Sequence, residues 1–115
     1  MSDTVNEEEF GSAADHALAR LRDALDALDL DAEVELSMGI LTIELPDGAK
    51  YVINSHRAAR QIWMAADRTA WHFDLVREAP GAPERWVAQK TKDELFATVS
   101  RVLEKRLGRA LPLSA

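Results

Sequence analysis

The sequence predicts an α+β fold, a two-layer α/β sandwich in which two terminal helices pack on one face of a mainly antiparallel sheet of about six strands. Three observations lead there. Apolar residues recur at three- and four-residue steps near both ends of the 115-residue chain, as in amphipathic helices. Between them the period falls to two in a series of short segments, the pattern of half-buried strands. These segments follow one another through short connections, which favours antiparallel neighbours. The length suits one domain with one core, and 1–115 is expected to be a single unit.

The first helix spans about Glu7 to Leu28, where Phe10, Ala14, Ala17, Leu18, Leu21, Ala24, Leu25 and Leu28 gather on one face. Thr4 with Glu7, or Asn6 with Glu9, offers a capping pair. Gly11 weakens the first turns by about 1 kcal/mol relative to Ala. Beside the apolar face run Glu8, Asp15, Arg22, Asp26 and Asp29, flanked by Asp23, an acidic stripe interrupted once by Arg22.

Ala32, Val34 and Leu36 then alternate with Asp31, Glu33, Glu35 and Ser37, giving a first strand whose outer face is a ladder of carboxylates. Ile40 to Leu45 and Ala49 to Asn54 form a hairpin around Pro46-Asp47-Gly48. Gln61 to Ala65, Trp71 to Val76 and Arg85 to Ala88 supply three more strands. Ala79-Pro80-Gly81-Ala82-Pro83 cannot join a ladder and is a loop. Thr91 and Glu94 read as a T-x-x-E capping box before Leu95, Phe96, Val99, Val102 and Leu103, with Gly108 as the stop. Leu111-Pro112-Leu113 is apolar enough to tuck onto the body.

Charge is divided along the chain. From Asp3 to Asp47 there are thirteen acidic residues against two basic ones, Arg20 and Arg22, whereas the remainder holds twelve basic and seven acidic residues. An acidic front gathers cations or docks a basic partner, and it disfavours nucleic acid, whose phosphates need a basic surface. With no Cys, thiolate metal sites, iron–sulfur ligation by the chain's own thiols and Cys nucleophiles are excluded. The opening residues lack the features of a targeting signal and no apolar run approaches a membrane span, so a soluble, cytoplasmic protein is expected.

Carboxylates are hard donors and suit Fe²⁺, Fe³⁺, Mn²⁺, Ca²⁺ or Mg²⁺. Side chains at alternate strand positions stand in a row rather than a cage, so binding is expected to be weak, shared and salt-sensitive. The bland alternative is a solvated face that aids solubility. Against it stand the continuity of ladder and helix stripe and the near absence of interleaved Lys or Arg. In Gln61-Ile62-Trp63-Met64-Ala65, if Ile62 and Met64 are core, Trp63 faces outward beside Gln61 as a candidate partner anchor. Ordinary burial is its alternative, and Asn54, ending its strand, reads equally as a turn residue. His16, His56 and His72 have no metal-ligand spacing and read as surface or lightly packed. No Ser-His-Asp set, phosphate loop or H-E-x-x-H occurs.

Gly39-Ile40-Leu41-Thr42-Ile43, Tyr51-Val52-Ile53-Asn54, Gln61-Ile62-Trp63-Met64-Ala65 and His72-Phe73-Asp74, with Phe10, Ala14-Asp15 and Trp86, form an ordered set. This set resembles the frataxin family, in particular its bacterial CyaY branch, over nearly the whole chain. The resemblance implies an α/β sandwich with an acidic ridge that binds iron weakly, here Asp23, Asp26, Asp29, Asp31, Glu33 and Glu35. It also implies contact with the cysteine desulfurase and scaffold that build iron–sulfur clusters, through a sheet surface carrying Asn54, Gln61 and Trp63. Arg22, Ala24 and Ala27 depart from the family's pattern by interrupting the carboxylates of the first helix.

The resulting expectation is an adaptor or regulator, monomeric with possible iron-dependent oligomers, that performs no covalent chemistry itself. An alternative is a ferroxidase that oxidises and stores iron, which requires a carboxylate-bridged metal pair. A third is an acidic binding module with no metal role.

Overall fold

The structure is a computed structural model that describes residues 7–76 and 84–113. Helix α1 (Glu7–Ala27) leads into strands β1 (Glu33–Ser37), β2 (Ile40–Glu44), β3 (Lys50–His56), β4 (Gln61–Ala66), β5 (Thr69–Val76) and β6 (Arg85–Ala88), and helix α2 (Leu95–Leu107) closes the fold. The six strands form one sheet in chain order β1-β2-β3-β4-β5-β6. Every pairing is antiparallel. The expected two-layer sandwich is therefore present, with both helices on the inner face of the sheet.

Period-two alternation decides what each face carries. Leu36, Leu41, Ile53, Met64 and Trp71 sit opposite one another in one inner row, and Ile62, Phe73 and Ala88 in another. Against these rows α1 buries Phe10, Ala14, Leu18, Leu21 and Leu25, and α2 buries Leu95, Phe96, Val99 and Leu103. Phe10 meets Trp86 edge to face, with centroids 5.7 Å apart, and so ties the start of α1 to the last strand. Gly11 is buried where a Cβ would lie 3.3 Å from Arg57 Nη2, so this glycine lets a guanidinium lie close to the helix.

Two readings need adjustment. Thr91 does not cap α2. Lys92, at φ 65°, turns the chain out of β6, and a bridge between Val87 and Glu94 holds residue 94 extended. The helix can begin only at Leu95, with Glu94 as N-cap accepting from the Phe96 and Ala97 amides at 3.0 Å each. Thr91 Oγ1 instead accepts from the Asp93 amide. Asn54 is not a turn residue, because β3 continues to His56 and Asn54 pairs with Ile40 on one side and Trp63 on the other. The capping pairs drawn for α1 involve Thr4 or Asn6, and these, like the 79–83 loop, lie outside the described residues. Gly108 ends α2 in the left-handed conformation, its amide donating to the Glu104 carbonyl. Leu111 is buried, its amide donating to Glu104 Oε2 and its carbonyl accepting from Ser100 Oγ at 2.6 Å.

Candidate functional site: an acidic edge and an aromatic sheet face

The sequence-predicted metal residues form a continuous line. Asp23 and Asp26 lie on the last turns of α1, Asp29 and Asp31 in the connection, and Glu33 and Glu35 on β1, an edge strand. All six are exposed. The line follows from two periods meeting: the helix turns its polar face outward, and β1 directs Val34 and Leu36 inward, so Glu33 and Glu35 must point out.

Three neighbours modify this line. Arg22 pairs with Asp23 at 3.0 Å, which offsets the first carboxylate. Arg109, from the segment after α2, donates to the Leu28 and Asp29 carbonyls at 3.4 and 3.3 Å, placing a cation at the negative end of α1. Glu44 stands directly opposite Glu33 across the β1–β2 pair, with Lys50 opposite Glu44 on its other side. Like charges in cross-strand register repel. Asp31, Glu33 and Glu44 thus border a shallow depression also lined by Leu30, Leu45 and Pro46. Glu44 and Arg109 were missed in the sequence. Strand register would have found the first; no local signal points to the second.

The donor set suits a hard cation. Among the described residues, however, no three His, Asp or Glu side chains converge on a point where they could hold one metal. The chemistry open to this edge is attraction of cations along a row, with water completing each coordination shell, and electrostatic docking of a basic surface.

The outer sheet face carries the second group. Ser37, Ile40, Asn54, Trp63 and His72 occupy one row across five strands, and His56, Gln61, Asp74 and Val87 the next. Ile62 and Met64 are buried, so Trp63 faces outward as read from its strand. It is half-buried nonetheless. Its indole lies between two imidazoles, stacked on His56 at 3.9 Å and on His72 at 4.4 Å. Trp63 Nε1 donates to Gln61 Oε1 at 2.8 Å, and Gln61 Nε2 donates to Asp74 Oδ1 at 3.0 Å. The His pair and Asp74 are thus part of this surface. His72 is directly opposite Trp63 and His56 is opposite Gln61, so register is again the signal that finds them. Asn54 shares the row, with Nδ2 near the Ser55 carbonyl at 3.4 Å.

A family profile described as frataxin-like domain matches residues 3–109. The chain belongs to the frataxin family. Similar frataxin-family proteins include the iron-sulfur cluster assembly protein CyaY of Dechloromonas aromatica, 34% identical over 95% of this chain and 99% of that one. The protein of the same name from Ralstonia pickettii is 32% identical over 96% of each. Among solved structures, frataxin from Psychromonas ingrahamii superposes with a TM-score of 0.84 over 96% of this chain and all of that chain at 20% identity, a likeness of fold. Trimeric yeast frataxin complexed with ferrous iron gives 0.69 over 95% of this chain and 92% of that one, at 29% identity. The frataxin fold explains the arrangement above: a helix and an edge strand meet to form the acidic edge, and the free sheet face abuts it.

Proposed function

We propose that this chain is an iron-binding adaptor and regulator of iron–sulfur cluster assembly. It docks on a cysteine desulfurase and its scaffold through the acidic edge and the Trp63 surface. Asp23, Asp26, Asp29, Asp31, Glu33 and Glu35 hold Fe²⁺ weakly, because each ion finds few ligands in a row and keeps most of its water. The same carboxylates meet basic groups of the desulfurase, so iron and partner compete. Asn54, Gln61 and Trp63 meet the scaffold, Trp63 as an aromatic anchor fixed by its flanking imidazoles.

The observation that carries this reading is adjacency: Glu33 and Glu35 lie on β1, and the row through Asn54 and Trp63 begins on the same strand at Ser37. One partner assembly can span both. The names and iron of the relatives support the pathway, and bound iron is their property. The test is an anaerobic NMR titration with Fe²⁺ and, separately, with purified desulfurase. Both should perturb residues 23–35 and compete there. Silence of that stretch toward iron, with desulfurase bound elsewhere, would leave the edge as a solvated face.

A further inference from the structure

Among the described residues, Met38 and Ile40 are the two large apolar side chains most open to water, 97% and 46% exposed. They flank Gly39 in the β1–β2 hairpin, where Ser37 pairs with Ile40 and two residues make the turn. Both turn residues have positive φ, 52° at Met38 and 79° at Gly39. Such a turn favours Asn or Asp followed by Gly. Gly39 meets the rule, and a Cβ there would fall 2.8 Å from Ser55 Oγ. Met38 does not, since a long apolar side chain holds a conformation that Asn adopts at lower cost. Neither folding nor solubility accounts for a methionine there, wholly in water.

Position accounts for it. Ile40 lies in the row that continues through Asn54 to Trp63 and His72, and Met38 projects from the end of the same strand pair. The outer face of the same strand pair carries the carboxylates of Glu33, Glu35 and Glu44. A second copy packed symmetrically would set those carboxylates against themselves. An apolar tip beside an acidic edge complements a different surface: an apolar depression rimmed by Arg or Lys. Unbranched and polarizable, Met suits such a depression because it adapts to irregular shapes.

We propose that Met38 and Ile40 form the apolar anchor of the partner-docking face, inserting into a depression with a basic rim on the partner. The inference rests on the docking reading above. Affinity for the purified desulfurase–scaffold complex is measured at fixed ionic strength for Met38→Asn, Ile40→Thr and a neutralised edge (Asp31→Asn, Glu33→Gln). Each anchor variant should lose roughly tenfold or more, while Met38→Asn unfolds no earlier than the parent on heating. Unchanged affinity in the anchor variants, with loss in the neutralised edge, overturns the anchor and leaves the docking reading standing. No loss in any variant overturns both. A concentration-dependent dimer in sedimentation that Met38→Asn abolishes assigns the patch to a second copy and overturns the proposal.

Discussion

Tyr51 Oη donates a 2.7 Å hydrogen bond to Asp67 Oδ2 from a ring that is 1% exposed. Asp67 in turn accepts from Arg106 Nη1 at 2.8 Å, and Arg106 Nη2 reaches Asp47. The β2–β3 turn, the β4–β5 turn and the last turn of α2 are thereby joined around one phenol. Burial, then the bond to Asp67, pushes the Tyr51 pKa up to about 12. The unfolded chain releases this proton near 10. Stability from the buried neutral phenol is therefore complete below pH 10 and is lost as pH climbs towards 12. Unfolding free energies from denaturant titrations at pH 8 to 12 should fall steeply in the parent and less so in Tyr51→Phe. Equal slopes would mean that the phenol does not titrate with folding.

At the acidic end two carboxylates are held below the usual range, Asp47 by Arg106 and Asp93. Arg101 donates to Asp93 at 3.0 Å, Thr91 and Trp71 add further hydrogen bonds, and its pKa is held below the usual carboxylate value. A depressed pKa gives stability that is present above about pH 4 and disappears as the carboxylate takes up a proton. Asp93→Asn should flatten part of the acid limb of the stability curve while leaving alkaline behaviour alone. Circular dichroism melts between pH 2 and 6 would read it.

Gly11 offers a stability test of a different kind. Replacing it with Ala adds helix propensity of about 1 kcal/mol, and the new Cβ meets only the tip of the Arg57 side chain. Gly11→Ala should raise unfolding free energy by up to about 1 kcal/mol as Arg57 shifts by a few tenths of an ångström. A lowered melting temperature would show instead that Arg57 cannot yield.

Much of this architecture was legible because both periods are clean. The inward residues of β1 and the buried stripe of α1 could be assigned from spacing alone, and the outward face of Trp63 followed from taking Ile62 and Met64 as core. What spacing does not carry is register. Glu44 opposite Glu33, and the His56–Trp63–His72 stack, depend on which strand residues stand side by side, a matter settled by turn length and bulk elsewhere in the sheet. The misplaced cap has the same origin, since Thr91 and Glu94 have the spacing of a capping box but a bridge to Val87 keeps Glu94 extended.

Trp63→Ala should cost little folding energy, because the indole packs on two imidazoles and not on the core. About 1 kcal/mol is the expected scale for such aromatic contacts. Affinity for the scaffold–desulfurase complex should drop by roughly tenfold or more with Fe²⁺ binding unchanged. Calorimetry with each ligand separates the two effects, and a collapsed melting transition would refute the exposed assignment.

Neutralising the edge should do the reverse. Asp26→Asn, Asp29→Asn, Asp31→Asn and Glu33→Gln together should weaken Fe²⁺ and desulfurase binding and reduce the dependence of both on salt. The same change removes the Glu33–Glu44 repulsion, so the variant should melt higher than the parent at low ionic strength. A variant that binds desulfurase as before would remove the edge from the docking surface.

The unbroken strand order from β1 to β6 has a kinetic consequence. Each strand pairs with its neighbour along the chain, and the first four hairpins close over connections of two to five residues, which cost little chain entropy. The long closures are those that bring the ends of the polypeptide together, above all Phe10 onto Trp86. Sheet formation can thus precede the joining of the termini, and the barrier should lie where the first helix settles against the last strand. A destabilising substitution in an early hairpin, already formed at that barrier, would then slow refolding and leave unfolding nearly unchanged, whereas one at Trp86 would divide its effect between the two rates.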